Sequence, residues 1–65
     1  MDEHRMDDVE LVYVADLERR LRVSRDAVRA MVRRGELPRP AKLGRRSVWR
    51  REDIDQWLAE KFDAA

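Results

Sequence analysis

Arginine side chains recur at regular spacing in two neighbouring stretches of this 65-residue chain. Arg25, Arg29 and Arg33 are four residues apart, so on a helix they would form a row along one face. A second basic group follows between Lys42 and Arg50, around a single glycine. The planar guanidinium group donates several hydrogen bonds in a geometry that fits a phosphate or the O6 and N7 edge of guanine. These residue types at these spacings favour a surface that binds an anionic partner.

Catalysis and metal binding find little support in the sequence. The chain has no cysteine and one histidine, His4, which lies in a polar N-terminal stretch. Ser24 and Ser47 are explained by a helix cap and a turn, so no nucleophile and base pair is evident. Asp53 and Asp55 are two residues apart and therefore face different sides of a helix. We expect no enzymatic activity, no metal, no cofactor and no small-molecule substrate.

The net charge of +1 conceals a strong segregation of charge along the chain. Residues 1–18 hold seven acids and one base, residues 19–51 hold thirteen bases and two acids, and residues 52–65 hold five acids and one base. Thirteen of the fifteen bases are arginine, a bias that a GC-rich coding genome would also produce. A basic middle segment of this size points to a polyanion, most often nucleic acid. The alternative is that the bases cover all faces and pair with the acidic ends.

The run KLGRRSVWRRED, residues 42–53, is open to three interpretations: a solvated loop, a sorting tag, or part of an anion-binding surface.

The length and hydropathy of the chain limit its domain number and its location. Sixty-five residues form one domain at most, with a small core. No apolar run approaches the ~20 residues of a membrane span, and the N-terminus lacks a secretory pattern. We expect a soluble intracellular protein that has no contact with a membrane.

Apolar spacing predicts two helices joined by a tight turn. Val14, Leu17 and Leu21 form one stripe, which predicts a helix over residues 14–21. Ser24 is a good N-cap for a second helix over residues 25–34, which Gly35 and the following prolines end. On this second helix the arginine row lies opposite the apolar face, which consists of Ala27, Val28, Met31 and Val32.

A small hairpin and a third helix follow. Residues 41–43 and 47–49 alternate with the strand period on either side of Gly44-Arg45-Arg46, so we expect a hairpin with Gly44 at positive φ and a tip over Gly44–Ser47. Residues 52–62 predict a helix whose first turn is acidic. Its apolar stripe is Ile54, Trp57, Leu58 and Phe62, and we assign both Trp49 and Trp57 to the core. The predicted fold is mainly α with a small β-hairpin, with residues 1–10 disordered, 11–62 folded and 63–65 frayed.

Two helices joined by about three residues, the second basic on its outer face, form a helix-turn-helix. Such a second helix fits the DNA major groove, and a basic hairpin beside it can contact the backbone or the minor groove as a wing. The candidate DNA-binding residues are Ser24, Arg25, Arg29 and Arg33 on the helix, and Lys42, Arg45, Arg46, Ser47 and Arg50 on the wing. For Lys42, Arg50 and Arg51, contact with phosphate and pairing with Glu52 or Asp53 both remain open.

Five short elements between residues 23 and 58 occur in a recognisable order. They are Ser24-Arg25 at a helix start, Gly35-Glu36-Leu37-Pro38 at a corner, Lys42-Leu43-Gly44-Arg45 at the wing, Trp49-Arg50 at a strand end, and Ile54 with Trp57-Leu58 in the third helix. In this order and spacing they resemble the small winged helix-turn-helix proteins of the AlpA and phage excisionase group, relatives of the MerR DNA-binding domain. The resemblance covers about residues 11–62. The sequence departs from the group at two positions, with Glu18 where the group usually has alanine and Arg22 where it often has glycine. We expect the glutamate to loosen or re-angle the contact between the first two helices.

The resemblance implies sequence-specific binding of double-stranded DNA in the cytoplasm of a bacterial host, on its nucleoid. Excisionases, or recombination directionality factors, bind adjacent sites, bend DNA and steer a phage integrase toward excision, whereas AlpA-like proteins regulate transcription. The segregated charges would also let copies associate head to tail on DNA. A protein-interaction module such as an antitoxin, whose basic face binds an acidic partner, is a further alternative.

Overall fold

The computed structural model describes residues 10–64, which form three helices and a small antiparallel sheet. The elements, in chain order, are β1 (Leu11–Tyr13), α1 (Val14–Leu21), α2 (Arg25–Arg33), β2 (Ala41–Leu43), β3 (Arg46–Arg50) and α3 (Arg51–Ala64). This mainly helical arrangement is that of a small winged helix-turn-helix, so the predicted fold class is confirmed.

The connection between α1 and α2 follows the prediction closely. α1 ends at Leu21, and Arg22 follows it as the C-cap. The φ of Arg22, 59°, lies in the left-handed region, and its N–H donates to the Glu18 carbonyl. Ser24 then caps α2, because its Oγ accepts a hydrogen bond of 3.1 Å from the Ala27 N–H. These few residues fix the angle at which α2 leaves α1.

α2 ends at Arg33, one residue earlier than predicted. Gly35, at φ 74°, then reverses the chain direction as expected for a helix stop. The Glu36 N–H donates to the Met31 carbonyl at 2.9 Å, and the Gly35 N–H donates to the Val32 carbonyl at 3.0 Å. This pair of bonds is a Schellman motif, which satisfies the last carbonyls of the helix and turns the chain toward the sheet.

The sheet has three strands in the order β1-β3-β2, all antiparallel, where the sequence predicted only the β2–β3 hairpin. β1 pairs with β3 from Leu11↔Arg50 to Tyr13↔Val48. The hairpin turn is shorter than predicted, consisting of Gly44, at φ 62°, and Arg45. Arg46 and Ser47 therefore lie in β3 and not at the tip.

The core lies where α1, α2, α3 and β3 meet. Leu17, Val28 and Ile54 are fully buried and Trp49 is 3% exposed, which confirms the buried faces predicted for α1 and α2 and the assignment of Trp49 to the core. Trp57 is only partly buried and packs against this cluster from its edge. The remaining buried members of the core cluster are Val12 and Leu37.

α3 is longer than predicted, beginning at Arg51 and continuing to Ala64, and fraying of its last residues stays a prediction. Phe62, placed on the buried stripe by its spacing, is 78% exposed, because the last turns of α3 extend beyond the small core. The Glu10 carbonyl, at the end of the segment predicted to be disordered, accepts a hydrogen bond of 2.8 Å from the Arg51 N–H. The rest of the predicted disorder, in residues 1–9 and at residue 65, lies outside the described residues.

Candidate nucleic-acid interface

A concave cleft of about 480 Å³ separates α2 from the wing formed by β2 and β3. α2 supplies one wall, the wing supplies the facing wall, and the end of β1 with the start of α1 closes one side. Val28 and Trp49 of the core also line the cleft, so its walls are tied to the most buried part of the molecule. A basic helix and a basic wing therefore share one concave surface.

The charge of this cleft has a single sign. Six cationic residues and no aspartate or glutamate are among the described residues that line it; the six are Arg25, Arg29, Arg33, Lys42, Arg45 and Arg46. Like charges collected in a concave surface concentrate the positive potential there and attract a polyanion. Seven of the nine predicted site residues, these six and Ser47, are brought together in this way.

Among residues 10–64, most arginines outside the cleft pair with a carboxylate, whereas most cations of the cleft do not. Outside the cleft, carboxylates pair with Arg19, Arg20, Arg34, Arg50 and Arg51. Within residues 10–64, five of the six cleft cations have no carboxylate within ion-pair distance. Within these residues the acids thus pair mainly with bases outside the cleft; pairing with the acids of residues 1–9, part of the alternative left open by the sequence, lies outside the described residues.

Arg25 is the sixth cation and has a weak partner. Its Nε lies 3.9 Å from the Glu18 carboxylate, and the Arg25 side chain remains 63% exposed. Glu18 thus meets the first turn of α2, and its effect on the angle between the helices stays a prediction. At such exposure an ion pair contributes little, so an incoming phosphate can replace Glu18 at small cost.

Arg46 is held on the wing by an aromatic ring. Its guanidinium carbon lies 4.1 Å from the centroid of the Tyr13 ring, within the range of a cation–π contact. Tyr13 ends β1 and also lines the cleft. Tyr13 was not among the predicted site residues. The available signal was a tyrosine directly before the first predicted helix, where a capping residue is usual.

Asp16 links this corner of the cleft to α1. Its carboxylate accepts from the Tyr13 N–H at 2.8 Å and pairs with Arg19. The Tyr13 N–H, followed by the charge of Arg19, lowers the pKa of Asp16, and burial opposes this only in part. Asp16 is therefore charged at neutral pH, and it fixes the backbone that presents the Tyr13 ring.

Lys42 and Ser47 face each other across the hairpin, where they are register partners. The Lys42 Nζ donates to the Ser47 Oγ at 3.1 Å, on a surface exposed to solvent. This bond orients the lysine within the wing, at the wall of the cleft opposite α2.

Two predicted site residues, Ser24 and Arg50, do not line the cleft. The Ser24 side chain is used as the cap of α2, so it acts on the arrangement of the arginine row. Arg50 donates to both carboxylate oxygens of Asp53, at 3.0 and 3.3 Å, and this contact raises the pKa of Arg50. Of the two possibilities open for Arg50, the structure contains the intramolecular pair. Whether any of the nine residues contacts DNA stays a prediction.

The two tryptophans hold the loop that connects α2 to the wing. The Trp49 Nε1–H donates to the Pro38 carbonyl, and the Trp57 Nε1–H donates to the Glu36 carbonyl, each at 2.7 Å. A loop tied at two carbonyls keeps the wing at a fixed distance from α2. Of the two, Trp49 also lines the cleft, whereas Trp57 is not among its lining residues.

Within residues 10–64, no cluster of three or more histidine, cysteine, aspartate or glutamate side chains could hold a metal ion. The helices of the same residues are all too short or too polar to cross a membrane.

The sequence profile of the helix-turn-helix domain family matches residues 13–61, about three quarters of the chain. The chain belongs to this family, which includes excisionase and AlpA-like proteins, and it is a DNA-binding helix-turn-helix protein. A search of curated proteins and a search of solved structures gave no match. The finer resemblance to the excisionase group and to the MerR domain stays a prediction.

Proposed function

We propose that this protein binds double-stranded DNA sequence-specifically, with α2 in the major groove and the wing against the adjacent backbone or minor groove. The observation that supports this most is the cleft itself, in which six cations and no acid line the space between α2 and the wing. The phosphates that flank a DNA groove would lie against the two walls of the cleft, one side against α2 and the other against the wing. The partner is DNA, and the cleft serves binding and not catalysis or capture of a small molecule.

The two walls have different roles in this proposal. Arg25 and Arg29 project from the first two turns of α2, are exposed, and reach base edges, where guanine offers O6 and N7. Arg33 is the last residue of α2 and would lie farther along the groove. Arg45 and Arg46 contact phosphates, which position the protein without selecting a sequence.

We further propose that the protein acts as an excisionase of a phage or mobile element, on the nucleoid in the bacterial cytoplasm. It would bind adjacent sites, bend the DNA and direct an integrase toward excision. The resemblance of residues 23–58 supports this role. The exposed acids of α3, Glu52, Glu60 and Asp63, lie outside the cleft, so the acidic surface of one copy can face the basic surface of the next. Head-to-tail association on DNA is the form of cooperativity that this charge arrangement favours.

The test begins with selection of a binding site from randomised duplexes, followed by titration of duplexes that carry one copy or two adjacent copies. We expect higher affinity per site on the tandem duplex and a bend detectable by the electrophoretic mobility of circularly permuted fragments. Equal affinity per site on both duplexes would count against head-to-tail association. Binding to a selected site without a bend would favour the alternative, an AlpA-like transcriptional regulator.

A partner that is an acidic protein, as for an antitoxin, is the remaining alternative, and the basic cleft would serve that role too. A direct binding assay with duplex DNA at low salt distinguishes a DNA partner from an acidic protein partner. If the protein failed to bind every duplex at low salt, the DNA-binding proposal would be lost. In a cell, an integrase gene beside this one, with excision that depends on this protein, would support the excisionase role.

A further inference from the structure

We infer that Tyr13 is a positioning residue for DNA binding, whose ring holds the Arg46 guanidinium at the edge of the cleft in an orientation ready for a phosphate. The inference rests on the proposed function, because it concerns how one cation of the cleft is presented to DNA. It assigns to Tyr13 a role apart from the core and from the arginine row of α2.

The first observation is that the hydrogen bond at the N-terminus of α1 does not come from the Tyr13 side chain. Tyr13 is the N-cap residue of α1, with extended backbone angles of φ −106° and ψ 173°, a position where serine, threonine, aspartate and asparagine are preferred. Its side chain makes no capping hydrogen bond. The stabilising contact comes instead from Asp16, whose carboxylate accepts from the Tyr13 N–H. The hydrogen bond found at this cap therefore uses the backbone of Tyr13 and the side chain of Asp16, and does not involve the tyrosine ring.

The second observation is where the ring lies. Tyr13 pairs with Val48 across β1 and β3, and Arg46 is two residues from Val48 along β3, so Tyr13 and Arg46 are diagonal neighbours on one face of the sheet. The guanidinium carbon is 4.1 Å from the ring centroid, and both residues line the cleft. The Tyr13 ring therefore restricts the positions available to the Arg46 side chain on the wing.

The consequence concerns the cost of ordering Arg46 on binding. A guanidinium that stacks on a ring keeps the N–H groups at its edge available to an anion. Ordering one long, free side chain at an interface costs about 0.5–1.5 kcal/mol, which corresponds to a factor of roughly 2 to 12 in affinity. Because Tyr13 has already restricted Arg46, part of that cost is absent in the native protein.

The experiment compares Tyr13→Phe, Tyr13→Ser and Tyr13→Leu with the wild type in binding to one duplex. Tyr13→Phe keeps the π face and should bind as the wild type does. Tyr13→Ser removes the ring but supplies a good N-cap, so α1 should remain folded by circular dichroism while affinity falls about three- to tenfold. Tyr13→Leu keeps apolar bulk without a π face and should show the same loss, which separates the ring from mere packing.

The decisive readout is a double-mutant cycle with Arg46→Ala. In that background Tyr13→Ser should cause no further loss of affinity, because the ring acts only through Arg46. Equal binding by Tyr13→Ser and the wild type would overturn the inference, as would an undiminished loss in the Arg46→Ala background. A loss with Tyr13→Phe would overturn it too, since it would assign the effect to the hydroxyl. Absence of DNA binding by the wild type would instead refute the proposed function.

Discussion

Single side chains decide which positive charges are available to a partner. Arg34, Arg50 and Arg51 each donate to a carboxylate, and these hydrogen bonds raise the pKa of each guanidinium. By contrast, Arg29 and Arg45 have no carboxylate partner among residues 10–64, and both line the cleft. Some arginines therefore pair with carboxylates of the same chain, whereas others line the cleft and are available to an anionic partner.

Arg29, in the middle of the α2 row, provides the first prediction. Arg29→Ala should relax specificity, with a loss of about 1–3 kcal/mol on the selected site and little loss on unrelated duplexes, because a base contact is removed. The measurement is competition between the selected and scrambled duplexes at one salt concentration. Arg34→Ala is the matched control, since it removes the same charge from a residue outside the cleft that pairs with Glu36. Uniform weakening on all duplexes would show that Arg29 contacts phosphate.

Arg22 provides a prediction about stability. Its φ of 59° places a residue with a Cβ in a conformation that costs roughly 1–2 kcal/mol and that glycine adopts freely. Arg22→Gly should therefore raise the free energy of unfolding by about 1 kcal/mol in urea denaturation. The control is Arg19→Gly, at an exposed position within α1, which should lower the same free energy by about 1 kcal/mol. An equal decrease for both variants would contradict the role given to the left-handed cap.

The secondary-structure elements show how far local pattern determines this fold. The arginine row, the Ser24 cap and the Gly35 stop belong to contiguous segments, so spacing alone predicted α1 and α2 to within one residue. β1 could not be predicted in this way, because three residues form a strand only by pairing with β3, more than 30 residues later in the chain. The exposure of Phe62 has a similar cause, since spacing gives the face of a helix but not where the core ends.

The loop between α2 and the wing gives a prediction at the scale of elements. Trp49→Phe should lower the free energy of unfolding by about 1–3 kcal/mol, because the Pro38 carbonyl loses its donor in a buried setting. Trp57→Phe should cost less, since Trp57 is partly exposed and water can replace its bond to the Glu36 carbonyl. Urea denaturation of the two variants side by side measures the difference. A larger cost at Trp57 would contradict this ranking, which rests on the deeper burial of Trp49.

At the scale of the described residues, 10–64, the cations that line the cleft are separated from the acids in space, as bases and acids are separated along the chain. Thirteen bases between residues 19 and 51 indicated a basic surface, but the sequence could not tell which of them would be neutralised. That depends on tertiary neighbours such as Glu10 with Arg51 and Asp55 with Arg20, which come from distant segments. Five of the cations that have no carboxylate partner among residues 10–64 line the cleft, because α2 and the wing are fixed to one core.

The measurement that most directly tests the central claim is the salt dependence of duplex binding. With several phosphates meeting the cleft, the slope of log affinity against log salt concentration should be roughly −4 to −7. Arg45→Ala should reduce the magnitude of that slope by about 1, because one phosphate contact is lost. A wild-type protein without measurable duplex binding at low salt, or with a slope near zero, would contradict the claim that this cleft is the DNA-binding surface.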